Sequence, residues 1–135
     1  MRIATKYSDT HWITCKDDEG LEYKLYIDYP TFEQQEALEE LFYSSWTNIQ
    51  DRNLDIAKYL KYKRYYLKYT IKDWQNVMSE DGKEIKMILT DNEMDLEQWQ
   101  MLTRDAVLVT KLFDIISPEL TFNEADKKKL NLSAD

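Results

Sequence analysis

Apolar and polar residues alternate along the chain just before position 30. Leu21, Tyr23, Leu25, Ile27 and Tyr29 fall on one side, and Glu22, Lys24, Tyr26 and Asp28 on the other. A period of two predicts a half-buried strand. The run "KDDEG" before it is rich in turn formers, and the flanking "HWITC" and "RIATKY" have strand propensity. Together they predict an antiparallel meander of two or three strands over residues 1–29.

The period changes after Pro30. Thr31 and Gln34 stand at the spacing of a capping box, in which the hydroxyl and the amide satisfy each other's free helix-end donors. Leu38, Leu41, Phe42, Ser45, Trp46 and Ile49 then recur as on a helix. "NIQDRN" reads as a break, with Asp51 or Asn53 to cap the next helix, over residues 53–74 and about 30 Å long. A polar turn follows around Asp81 and Gly82. A third helical region runs over about 91–116 and is divisible at Thr103-Arg104-Asp105. Pro118 closes it, and Thr121 with Glu124 starts a short basic helix.

The pattern therefore predicts an α+β fold, a small N-terminal antiparallel β-meander packed against a bundle of four to five α-helices. It is read as one domain, residues 1–135, with the helical part over 31–130 and a frayed tail over 131–135.

Residues 58–72, "KYLKYKRYYLKYTIK", raise the main functional question. They hold six of the eighteen basic residues and five of the ten tyrosines, in a chain of net charge −8. Without them twelve basic residues face twenty-six acidic ones, a balance of −14. On a helical wheel Ile56, Tyr59, Leu60, Tyr62, Tyr66, Leu67, Tyr69, Ile71 and Trp74 gather on one broad side. Lys58, Lys61, Arg64, Lys68 and Lys72 gather on the other with Tyr65, and Lys63 intrudes on the apolar arc. The rings are thus read as core and the cations as a separate face, solvated or paired with Glu33, Glu36, Glu39 and Glu40 of the preceding helix. A protein-docking role ranks second for that face. Nucleic acid is disfavoured, since phosphate binding needs a basic surplus and exposed rings. Trp46 and Trp74 read as core, and an exposed Trp12 or Trp99 would be an interface anchor. Lys61, Arg64, Tyr65, Lys68 and Trp99 are accordingly the candidate partner-binding residues.

Candidate chemistry is sparse. His11 and Cys15 are the single representatives of their types, so no His- or Cys-rich metal set is available. Two glycines leave no phosphate-cradling loop. His11 is read as a surface or edge residue. Glu22-Tyr23-Lys24, with Asp17 or Asp18 nearby, has the form of a nuclease E-x-K, but this pattern is common on the outer face of any amphipathic strand. No catalytic residue, metal or cofactor is expected. A lone cysteine, the absence of an apolar leader at the start and the lack of a membrane-length apolar run point to the cytoplasm, with no membrane partner.

From Trp74 onward "DWQNVMSEDGKEI" resembles a segment of small tailed-bacteriophage proteins known as tail assembly chaperones. The matching residues are Trp74, Asn76, Val77, Glu80, Asp81, Gly82 and Lys83, then Phe122, Glu124, Lys127, Lys128 and Leu130 near the end. The resemblance covers residues 73–130, and Ile85-Lys86-Met87 stand where such proteins often have a proline. It implies a non-enzymatic factor in the cytoplasm of a bacterial host, holding a tail component such as the tape-measure protein during virion assembly. The alternative is an acidic phage or mobile-element inhibitor that binds a basic surface of a host protein.

Overall fold

The computed structural model describes residues 11–48 and 53–120. The chain opens with strands β1 (Trp12–Lys16) and β2 (Glu22–Ile27), paired antiparallel from Trp12↔Tyr26 to Lys16↔Glu22. Asp17 makes the turn between them: its carboxylate accepts from the N–H groups of Glu19 at 2.9 Å and Leu21 at 2.8 Å. Gly20 follows with φ of +81°, a conformation that costs glycine little because it has no Cβ. Leu25 and Ile27 are buried on one face, and Glu22 and Lys24 are exposed on the other, as the alternation predicts, whereas Leu21, just before the strand, is exposed.

Helix α1 (Phe32–Ser44) begins with the anticipated capping box. The Thr31 hydroxyl accepts from the N–H of Gln34 at 3.2 Å, and the Gln34 side chain accepts from the N–H of Thr31 at 3.0 Å. The Gln34 amide also donates to the carbonyl of Asn92 at 3.1 Å. Thr31→Ala is expected to cost about 1 kcal/mol. Gln34→Ala should cost more because it also releases Asn92; thermal melts of the two variants check the order.

The helix stops earlier than the periodicity suggests. Ser45 is fully buried and its hydroxyl donates back to the carbonyl of Phe42, and Trp46 opens a short hairpin of β3 (Trp46–Asn48) and β4 (Asn53–Leu54). Trp46 is thus a half-buried strand residue instead of part of the helix's apolar stripe. Ile49 and Asp51 lie outside the described residues. The cap of helix α2 (Ile56–Thr70) is Asp55 instead of Asn53, and its carboxylate accepts from the N–H of Lys58 at 3.1 Å.

The main correction concerns residues 71–74. The helix expected over 53–74 ends at Thr70, and strand β5 (Ile71–Gln75) follows with no loop between. β5 is the third strand of the sheet, in the order β1-β2-β5, antiparallel to β2. Its pairing skips Lys72, since Ile27 faces Ile71 and Tyr26 faces Asp73. That bulge turns Ile71 and Trp74, three residues apart, to the same buried face. A spacing of three within a strand imitates helical spacing.

Beyond β5 the Asp81-Gly82 turn forms as expected, with Gly82 at φ +80° and its N–H donating to Ser79. Residues expected at the start of the third helix instead form a hairpin, β6 (Leu89–Thr90) with β7 (Glu93–Met94). Helices α3 (Leu96–Leu102) and α4 (Ala106–Leu120) follow, divided at Thr103-Arg104-Asp105; the Asp105 carboxylate accepts from the N–H groups of Val107 and Leu108. Pro118 lies within the last turn of α4 and does not end it. The short basic helix expected from Thr121 lies outside the described residues.

α2 is flanked by α1 and α4. The core joins the inner face of the sheet (Cys15, Leu25, Ile27, Ile71, Trp74) to Leu67 of α2, Met94 of β7 and the α4 stripe Val109, Leu112, Ile116 and Leu120. The architecture is α+β, and no helix among the described residues is long and apolar enough to cross a membrane.

Candidate functional site

α2 carries the candidate residues, and its tyrosines are used on two sides. Tyr59, Tyr62 and Tyr66 surround Phe113 of α4 at centroid distances of 6.3, 5.8 and 4.9 Å, and Phe42 of α1 lies 5.4 Å from Tyr62. Lys63, the cation that the wheel places among apolar residues, lays its ammonium over the Tyr59 ring at 4.7 Å and reaches Thr110 Oγ1 at 3.4 Å. Its stem lies on the aromatic cluster and its charge is stabilised by the ring face and a hydroxyl.

Across the helix, Tyr65 packs against Trp99 of α3 at 4.9 Å and against Tyr69 at 6.0 Å. Lys68 sits over Trp99 at 4.8 Å and pairs with Glu93 at 3.6 Å. The Arg64 Nε donates to the Thr103 carbonyl at 3.1 Å, placing the guanidinium at the negative end of α3, and Trp99 Nε1 donates to the Arg64 carbonyl at 2.7 Å. The structure thus brings Arg64, Tyr65, Lys68 and Trp99 into one cluster that fastens α3 to α2. Lys61 remains the exposed member, at the rim of a shallow groove of about 420 Å³ between Tyr65 and Tyr69 of α2 and Ala37 and Leu41 of α1. Lys72, expected on the outer side of the helix, is instead the half-buried bulge residue. Its ammonium donates to Asn92 at 2.7 Å, and burial lowers its pKa against the opposing pull of Asp28 and Glu93.

None of the five α2 tyrosines is fully exposed. Burial raises the phenol pKa of Tyr59, Tyr62, Tyr66 and Tyr69, and it pushes that of Tyr23, beside Cys15 on the sheet, to about 12. A raised folded-state pKa means that these phenols favour the folded chain fully below the ordinary value near 10, and that this contribution is lost as pH rises through the folded value. Tyrosinate absorbance is therefore expected to rise late, with stability falling steeply between about pH 10 and 12; titration at the ordinary value in the folded chain would contradict the packing.

The other residues examined for chemistry have structural positions. Asp17 is used in the β-turn, Asp18 pairs with Lys111 at 3.1 Å, and Glu22 and Lys24 lie on the outer face of the sheet. His11 precedes the edge strand but its side chain is only 12% exposed. Its Nδ1 lies 3.7 Å from Asp28, while Nε2 has no hydrogen-bond partner among the described residues. Trp12 is half-buried and meets Tyr26 edge to face at 5.2 Å.

Two further surfaces remain. One is the outward face of α1, where Glu36 and Glu39 are exposed; Glu33 and Glu40 are exposed beside it, and Glu40 lines the groove that Lys61 also lines. α1 packs beside α2, but no ion pair among the described residues joins these carboxylates to the basic helix. The other is an apolar group at the junction of β6 and α3: Ile88, Leu89 and Leu96 are 53%, 44% and 55% exposed. The N–H of Asp95 donates to the Ile88 carbonyl at 3.0 Å, which holds the residue before α3 against the backbone of Ile88. Comparison with protein-family models, curated proteins and solved structures finds no match to this chain.

Proposed function

We propose that this protein is a non-enzymatic assembly factor of the tail-assembly-chaperone kind, acting in the cytoplasm of a bacterial host. It shields an apolar segment of a tail component, such as the tape-measure protein, until polymerisation. The observation that carries this reading is the exposed apolar group Ile88, Leu89 and Leu96, which lies in the half of the chain where the resemblance is found. Solvent-facing apolar side chains grouped in this way mark surfaces that bind other apolar chains. Trp74, a residue of the resemblance, contributes directly, because its indole N–H donates to the Ile85 carbonyl at 2.7 Å, three residues before Ile88.

Co-expression with the tape-measure protein tests the proposal. The wild-type chain is expected to raise that protein's soluble yield several-fold, and Leu96→Asp, a change at an exposed site, is expected to abolish the gain without unfolding the chaperone. Unchanged solubility with the wild type would overturn the reading.

A further inference from the structure

We propose that the outward face of α1 is a second docking surface, and that its occupant is a basic amphipathic segment of a protein partner. This does not rest on the chaperone reading. At about 100° per residue, Phe32, Glu36, Glu39 and Tyr43 fall within an arc of about 60°, opposite Leu38 and Leu41, which face the interior side of the helix. Phe32 is 77% exposed and Tyr43 is 67% exposed. α1 is therefore a helix with two faces that carry large apolar side chains, one of them packed and the other open. Burying apolar rings is favourable, so the open face leaves a contribution unmade.

The charges on that face are arranged against the helix's own stability. α1 contains four glutamates and no lysine or arginine. Glu33 stands in the first turn, where the helix dipole favours an anion. Glu36, Glu39 and Glu40 lie beyond it, and the pairs 36/39 and 36/40 put like charges on adjacent turns, which repel. None of them belongs to an ion pair among the described residues.

A cationic partner relieves that repulsion, and an amphipathic one also covers the two rings, which stand about 16 Å apart along the axis at 1.5 Å per residue. The carboxylates repel nucleic acid and anionic lipid, and a second copy of a chain of net charge −8 would bring the same anions to the same face. A segment of three to four helical turns with lysine or arginine flanking apolar residues fits both features.

The probe is a synthetic amphipathic peptide of leucine and lysine in heptad order, titrated by calorimetry and by NMR at physiological salt. Shift changes are expected to concentrate over residues 32–43. Glu36→Lys with Glu39→Lys should weaken binding at least tenfold, and Phe32→Ala with Tyr43→Ala several-fold, with circular dichroism unchanged in both. Glu80→Lys with Glu84→Lys makes the same change in net charge at exposed positions elsewhere and should leave affinity within twofold. Equal weakening by that control, shift changes centred elsewhere, or no binding of the peptide would overturn the proposal.

Discussion

Trp74→Ala is expected to cost about 3–5 kcal/mol, a large part of the roughly 5–15 kcal/mol that holds a domain of this size together. Trp74 is 7% exposed and joins the core cluster from β5 while its indole N–H donates to Ile85 at 2.7 Å. The ring thus ties the sheet to the extended segment that leads to Ile88, and its removal opens a cavity and frees that segment together. Trp74→Phe separates the two contributions. It retains an aromatic ring in the site and leaves the Ile85 carbonyl without its donor, so a smaller loss of about 1–3 kcal/mol is expected. Urea unfolding of the three proteins gives the comparison. A loss for the alanine variant no larger than for a surface substitution would mean that Trp74 is not a core residue.

How far the sequence carried depends on which physical rule governed each element. β2 was legible because period two is unambiguous over six residues, and the α1 start was legible because Thr31 and Gln34 carry the chemistry of their own cap. Most of α2's tyrosines were correctly assigned to packing, since the wheel separates Tyr59, Tyr62 and Tyr66 from the cations. Tyr65 was misjudged because a wheel describes one helix, and the neighbour that covers Tyr65, Trp99, is thirty-four residues away. The same blindness applies to Arg64 and Lys68, whose partners Thr103 and Glu93 come from tertiary contact alone. β5 was misread for another reason. Its bulge lets Ile71 and Trp74 share a face at helical spacing, so the pattern favoured the wrong element. Thr70 and Ile71, adjacent β-branched residues, were the available hint that the helix was ending.

The two surfaces proposed for docking were hidden more deeply. Acidic residues on α1 were visible in the sequence, and they read as natural complements of the basic helix beside them. The structure instead brings the two helices together through Phe42, Tyr59 and Tyr62, leaves Glu36 and Glu39 outward, and sets Glu40 in the groove that Lys61 lines. Whether Ile88, Leu89 and Leu96 are exposed could not be derived from periodicity, because the segment that carries the first two is held by its pairing with β7 and by Gln98 of α3.

Those contacts make Gln98 the other residue whose loss should matter most. It is buried, at 7% exposure, in the first turns of α3. Its Oε1 accepts from the N–H of Ile88 at 2.8 Å, and its Nε2 donates to the Lys86 carbonyl at 2.8 Å. One amide thus satisfies a donor and an acceptor of a segment that has no strand partner there. Gln98→Leu, close in size, removes both bonds and leaves both backbone groups facing an apolar side chain, a loss of about 2–4 kcal/mol. Hydrogen exchange at the Ile88 amide should accelerate in proportion, and under the proposed chaperone function tape-measure binding should weaken with it. Leu96→Asp should instead weaken binding while leaving exchange at Ile88 unchanged. Gln98→Glu adds a pH signature. An ionised carboxylate can still accept from Ile88 but is repelled by the Lys86 carbonyl, so the folded chain favours the protonated acid, with its pKa raised above the ordinary value near 4.3. The variant should therefore approach wild-type stability in mild acid and lose it as pH rises through that raised value. A Gln98→Glu variant whose stability tracks the wild type across that range would show that the Lys86 bond contributes nothing.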